Sequence, residues 1–176
     1  GYVINGQIKE SKNGLATLRT YFRDGNEQLD SARIEEDGKF YFRGQIKDPI
    51  PALLTINGKR TYRLYLSPGD NVELILVPNN EKKTKIKGTK LTTEWYSIVA
   101  PQKKEDYDVH LSRLENWVIN NPSHIFSPDI IASYLAYKWN YSELTRTLNT
   151  LKEEALNTYH YKHLREREAL MTHLRI

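Results

Sequence analysis

Cysteine is absent from the 176 residues. That excludes disulfides, thiolate nucleophiles and Cys-type zinc sites together. It leaves the compartment open, since reducing and oxidising compartments both hold Cys-free proteins. Long apolar runs are also missing, and none approaches the roughly 20 residues that a membrane-crossing helix needs. No signal peptide is visible ahead of the first strand. Neither dinucleotide nor phosphate-loop glycine patterns occur, and there is no Gly-x-Ser-x-Gly elbow, so phosphate cradles and serine nucleophiles are not indicated. Charge of one sign is not dominant either. Net charge is +4 and the isoelectric point about 9.1, with Lys and Arg dispersed among Asp and Glu. The densest basic cluster, Lys82, Lys83, Lys85, Lys87 and Lys90, alternates with Thr84, Ile86 and Thr89. It reads as the wet face of an edge strand, where Lys discourages pairing with other chains. Nucleic acid is not an expected partner.

What remains is a globular composition, 39% hydrophobic and 27% charged, rich in Tyr with 12 and poor in Phe with four. Two of those Phe lie in "DGKFYFRG", where Asp37-Gly38 turns into strict alternation and Phe40 and Phe42 share one strand face. They are expected to fill a sheet core, each contributing about 2–3 kcal/mol on burial.

The first half keeps a period of two, broken by turn residues. Strands are expected over 2–8, 15–22, 29–35, 39–46, 52–56, 60–66, 72–77 and 83–87. Asn57-Gly58 is the strongest hairpin signal, because a type I′ turn needs positive φ at both central residues. Short strands at this spacing predict an antiparallel β-sandwich-like module over residues 1–88. Gly88, in "KGTKLTTEW", is the natural joint.

Residues 89–176 change to a helical period, and about four α-helices in an antiparallel array are expected. Trp95, Ile98 and Val99 begin the pattern. Val109, Leu111, Leu114, Trp117, Val118 and Ile119 continue it until Asn120-Asn121-Pro122. Ser127, Pro128 and Asp129 read as N-cap, first helical position and dipole partner of the next helix. Its inward face runs through Ile130, Ile131, Tyr134, Leu135 and Tyr137 or Lys138. Tyr141 or Ser142 opens a third, through Leu144, Leu148, Leu151 and Leu156. A last stretch carries Tyr161, Leu164, Leu170 and Leu174. The fold class is therefore α+β.

The order "INGQIK", "DSARIEEDGKFYFRGQIKDPIPALLTI", "YLSPGDNVELIL", "KIKGTKLTTEW" and "NPSHIFSPDIIASYL" resembles a bacterial module. It is similar to the domain of unknown function, with its helical segment, that precedes the thioredoxin-like domain in envelope thiol–disulfide oxidoreductases of the TlpA and AhpC–TSA type. The resemblance implies a periplasmic or envelope location in a Gram-negative bacterium. It implies membrane attachment only through a lipidated Cys upstream of Gly1. It implies a non-catalytic accessory role, because no Cys-x-x-Cys is present. The implied partners are the thioredoxin-like domain, another envelope protein or a second copy of the chain.

Candidate sites are few. His160 and His163 share a helix face, but zinc wants a third protein ligand, and Lys162, Arg165 and Arg167 would repel a cation. No metal and no cofactor are expected. The carboxylate pairs Glu35-Glu36 and Glu153-Glu154 are adjacent in sequence and so do not face one another. His110 with Asp106 and Asp108 is the place to look for an unrecognised hydrolase. Tyr41, Arg43, Arg63 and Tyr65 are expected on a wet sheet face, and Tyr and Arg are common binding hot spots. That face would serve a partner or, as a rival reading, a carbohydrate or small ligand. Trp117, Tyr134 and Trp139, with Tyr141, mark the helical surface expected to carry an exposed apolar patch.

Overall fold

In a computed structural model the described residues are 1–9 and 13–173, so the expectation placed on Leu174 lies outside them. Eight strands form: β1 (Tyr2–Ile8), β2 (Leu15–Tyr21), β3 (Glu27–Arg33), β4 (Lys39–Gly44), β5 (Ile50–Ile56), β6 (Arg60–Leu66), β7 (Asn71–Leu76) and β8 (Lys85–Lys87). Five helices follow: α1 (Lys90–Val99), α2 (Tyr107–Asn120), α3 (Phe126–Ile130), α4 (Tyr141–Leu148) and α5 (Tyr159–His173). The expected α+β class is what the chain adopts.

The chain divides into two compact units. One holds residues 1–21 and 27–97; the other holds 22–26 and 98–176. The helical unit therefore includes the tip of the β2–β3 hairpin, and α1 lies mostly with the strands.

The β unit contains two four-stranded sheets, ordered β4-β1-β7-β8 and β3-β2-β5-β6. Alternation buries one face of each. Ile4, Ile8, Phe40, Phe42, Val72, Leu74 and Leu76 are buried in the first sheet, and Ala16, Leu18, Ala52, Leu54, Leu64 and Leu66 in the second. Both sheets belong to one compact unit, and these faces make its core. Phe40 and Phe42 are 4% and 5% exposed and meet edge to face at 6.1 Å, an arrangement that favours aromatic pairs. One pairing departs from the antiparallel expectation: β1 runs parallel to β7. A two-residue hairpin forces antiparallel partners, but five strands separate these two in the chain, so no turn dictates their direction.

Asn57 and Gly58 both adopt positive φ, 52° and 67°, as the hairpin signal requires. The Asn57 side chain also accepts the Leu15 N–H at 2.9 Å, fastening the turn to β2.

The helical unit corrects three readings. First, α2 buries His110, Leu114 and Val118, while Val109 and Ile119 point outward. A polar residue occupies the inward position: His110 Nε2 bonds the Val99 carbonyl at 2.7 Å. Second, α3 begins at Phe126, so Ser127 lies inside it, not at its cap, and donates to the Asn121 carbonyl at 2.6 Å. The preceding turn is already helical, with the Phe126 N–H donating to His124 Nδ1. Third, α3 continues as a π turn over Ile131–Leu135 and a 3₁₀ turn over Ala136–Lys138. The π turn takes more residues per revolution, so the 3.6-residue wheel fails beyond Leu135. Tyr137 and Lys138 consequently face solvent. Asn140 and Glu143 then form a reciprocal capping box that starts α4.

Candidate binding surfaces

In the β unit the four residues expected on one wet face are divided between two sheets. Tyr41 and Arg43 are exposed on β4, the edge of the first sheet. Arg63 and Tyr65 lie on β6, the edge of the second.

Tyr65 is not wet at all: it is 1% exposed and packs on Trp95 with ring centroids 5.2 Å apart. The cause is α1, which covers the outer side of β6. Thr92 Oγ1 accepts the Tyr65 N–H at 2.8 Å, and Thr89 Oγ1 donates to the Tyr65 carbonyl at 2.7 Å. Tyr96 Oη donates to the Arg63 carbonyl at 2.9 Å. Residues 89, 92 and 96 share one helix side, so three side-chain hydroxyls satisfy the backbone groups that an edge strand leaves open. Arg63 is half-buried, its guanidinium 6.0 Å from the Tyr21 ring and 5.8 Å from the Trp95 ring, within cation–π range. Beside this helix Tyr62 donates to Glu81 at 3.1 Å, and Arg60 holds the same carboxylate oxygen at 3.0 Å. Burial first, and the Glu81 contact second, push the Tyr62 phenol up to about 12.

The outer face of the first sheet is open. Register aligns Tyr41, Asn5, Glu73 and Lys87 across the four strands, and Lys39, Gln7, Ile75 and Lys85 in the next row. A shallow groove of about 630 Å³ runs there, reaching Ala32, Arg33 and Glu35 beside it. Tyr41 is 50% exposed. Phe40 and Phe42 thus face the core, while Tyr41 between them faces the groove.

In the helical unit Trp117 is half-buried against His124 at 5.2 Å and Phe126 at 6.4 Å. Tyr134 is half-buried edge-on to His110 at 5.9 Å, and Trp139 is also half-buried. These three are largely packing residues. The exposed aromatic cluster lies instead at Tyr107 and Tyr137, 58% and 53% exposed, whose hydroxyls touch. The Lys138 ammonium stands 4.8 Å from the Tyr107 ring and 5.6 Å from that of Tyr137. Only the register shift in α3 reveals this cluster, and periodicity alone does not signal a π turn.

The acid–base candidates do not converge. Asp106 caps α2 by accepting the Val109 N–H at 2.8 Å. His110 is tied to a backbone carbonyl. Glu105 binds Arg113 at 2.7 Å and the Gln102 N–H at 3.0 Å, and these two contacts, in that order, hold its carboxyl down at about 2. His160 and His163 part company: His160 lies 3.5 Å from the buried Asp129 carboxylate, which also accepts Ser133 Oγ at 2.8 Å. His163 meets the Gly25 carbonyl and Glu166. Among the described residues no three His, Asp or Glu side chains are grouped to hold a metal.

Two facing four-stranded sheets closed by an edge-capping helix define a small β-sandwich-like domain. A family model for a domain of unknown function, DUF4369, matches residues 2–95, over half of the chain, and the protein belongs to that family. The match ends inside α1, the helix that completes β6. No curated protein and no solved structure gives a significant match.

Proposed function

We propose that this chain is a non-catalytic accessory and interaction module of an envelope thioredoxin-like thiol–disulfide oxidoreductase. The supporting observation is the succession of a DUF4369 domain and a separate compact helical unit. That is the order in which the resembled oxidoreductases place these parts ahead of their redox domain. The chain itself has no Cys and supplies no thiol chemistry. Its contribution is contact, and the Tyr107–Tyr137–Lys138 cluster is the surface best suited to it, since exposed Tyr rings offer large contact area at small entropic cost. The location that goes with this reading is the periplasm or cell envelope.

The direct test is to read the gene on both sides of this segment. A lipoprotein signal upstream and a Cys-x-x-Cys thioredoxin-like domain downstream are the expected result. A stop codon directly after Ile176 overturns the proposal.

A further inference from the structure

The groove on the first sheet has a chemistry that the accessory reading does not use. Its charged lining balances: Arg33 and Lys39 are cationic, Glu35 and Glu73 anionic. Side chains on a wet sheet normally settle into cross-strand pairs. Here Arg33, Glu35, Tyr41 and Glu73 make no side-chain hydrogen bond or ion pair among the described residues. Asn5 and Gln7, between them, make only long bonds, to Asn71 at 3.5 Å and to the Asp37 carbonyl at 3.3 Å. The groove therefore holds unused donors and unused acceptors side by side, at zero net charge. Its apolar surface comes from the half-exposed Tyr41 ring, the edge of Ile75 and Ala32 beside them.

We propose that this face is a binding site for an uncharged oligosaccharide. A sugar hydroxyl donates and accepts at once, so it suits a surface offering both in alternation. A pyranose also carries an apolar C–H face, which lies against an exposed aromatic ring. The four ionised groups that line the groove cancel, and Lys85 and Lys87 stand beyond it at the end of the same two rows. A protein hot spot would need a buried apolar anchor, and Tyr41, the groove's exposed aromatic side chain, is half-exposed. The volume, about 630 Å³, falls within the roughly 300–1,000 Å³ of ordinary ligand sites. In this arrangement Tyr41 is the platform, Asn5 and Glu73 read hydroxyls along its row, Gln7 reads them from the next row, and Arg33, Glu35 and Lys39 close one end.

The experiment is amide NMR of the full chain, titrated separately with hexasaccharides of glucose, xylose, mannose and N-acetylglucosamine. A hexaglutamate and a neutral extended peptide serve as comparison probes. At least one sugar should shift amides within 5–7, 39–41 and 73–75, saturating near about 1 mM, a typical weak affinity of some 4 kcal/mol. Tyr41→Ala should weaken that binding about tenfold or more and Glu73→Gln several-fold. Both residues are exposed, so the spectrum of the free protein should stay folded. Absence of shifts with every sugar at about 10 mM overturns the proposal. So do shifts outside these strands, equal response to a peptide, or binding indifferent to Tyr41→Ala.

Discussion

Gly6 lies in the middle of β1, in register with Phe40 of β4. Its φ is not in the left-handed region, so the backbone would accept alanine. Space would not: a methyl carbon built on Gly6 falls 2.5 Å from Cε1 and Cε2 of Phe40, and closer still to Cζ. The ring has little freedom to retreat, being 4% exposed and already edge-on to Phe42. Overpacking of this kind costs about 1–3 kcal/mol. Alanine recovers roughly 0.4–1 kcal/mol by restricting the unfolded chain. The net loss for Gly6→Ala is about 1–2 kcal/mol, or very roughly 4–16 °C of melting temperature for a unit of this size. Urea unfolding followed by circular dichroism measures it. The decisive part is the cycle with Phe40→Leu. That change alone costs on the order of 1–2 kcal/mol for lost burial. In its background Gly6→Ala should cost close to nothing, because the shorter side chain vacates the space. If the two changes instead add to within about 0.5 kcal/mol, the Phe40 ring does not lie over Gly6 and the packing argument fails.

Three further outcomes are expected. Thr92→Val keeps the shape but leaves the buried Tyr65 N–H without its acceptor; denaturant titration should show a loss of about 1–3 kcal/mol, and a loss under about 0.3 kcal/mol would mean α1 does not clamp β6. Folding holds the Tyr62 phenol protonated, so its contribution is whole below pH 10 and disappears as pH climbs toward about 12; Tyr62→Phe should remove that part of the alkaline fall in stability, and an unchanged profile would refute the assignment. Glu105 is the opposite case: its contribution is present above pH 4.5 and disappears as pH falls toward about 2, so Glu105→Gln should flatten the acid limb of the urea-midpoint profile, and an acid limb as steep as before would refute it.

The β half was legible because its signals are local. A two-residue period fixes which side chains face inward, and Asn57-Gly58 or Asp37-Gly38 fixes where the chain reverses, so eight strands and the Phe40–Phe42 core can be read directly. Strand partnership is not local, and the parallel β1–β7 pairing left no trace in composition. Tyr65 was misread for the same reason. Alternation places it outward from the core, and nothing within β6 announces that a helix 24 to 31 residues later will cover it. In the helical half, His110 was passed over because it is polar, although its ring is satisfied by one carbonyl. The π turn in α3 then rotated Tyr137 and Lys138 away from the face that a constant period assigned them. The surfaces suffered most, since a site is made by residues distant in sequence whose side chains find no partner, and absence of a partner is invisible in one dimension.

The hydroxyls of Thr89, Thr92 and Tyr96 have a consequence for where this module can be cut. A sheet usually ends in a strand, and an excised piece usually ends in the loop after it. Here the last layer of the sheet is chemically a helix surface, so severing the chain at Gly88, the visible seam, would strip β6 of the cover that α1 gives it. The released piece would carry a raw edge, a template for any passing strand, and would behave as a sticky fragment although every strand was retained. The helix is thus part of the sheet's perimeter, and a piece of this chain meant to stay solitary in solution has to be carried through Tyr96.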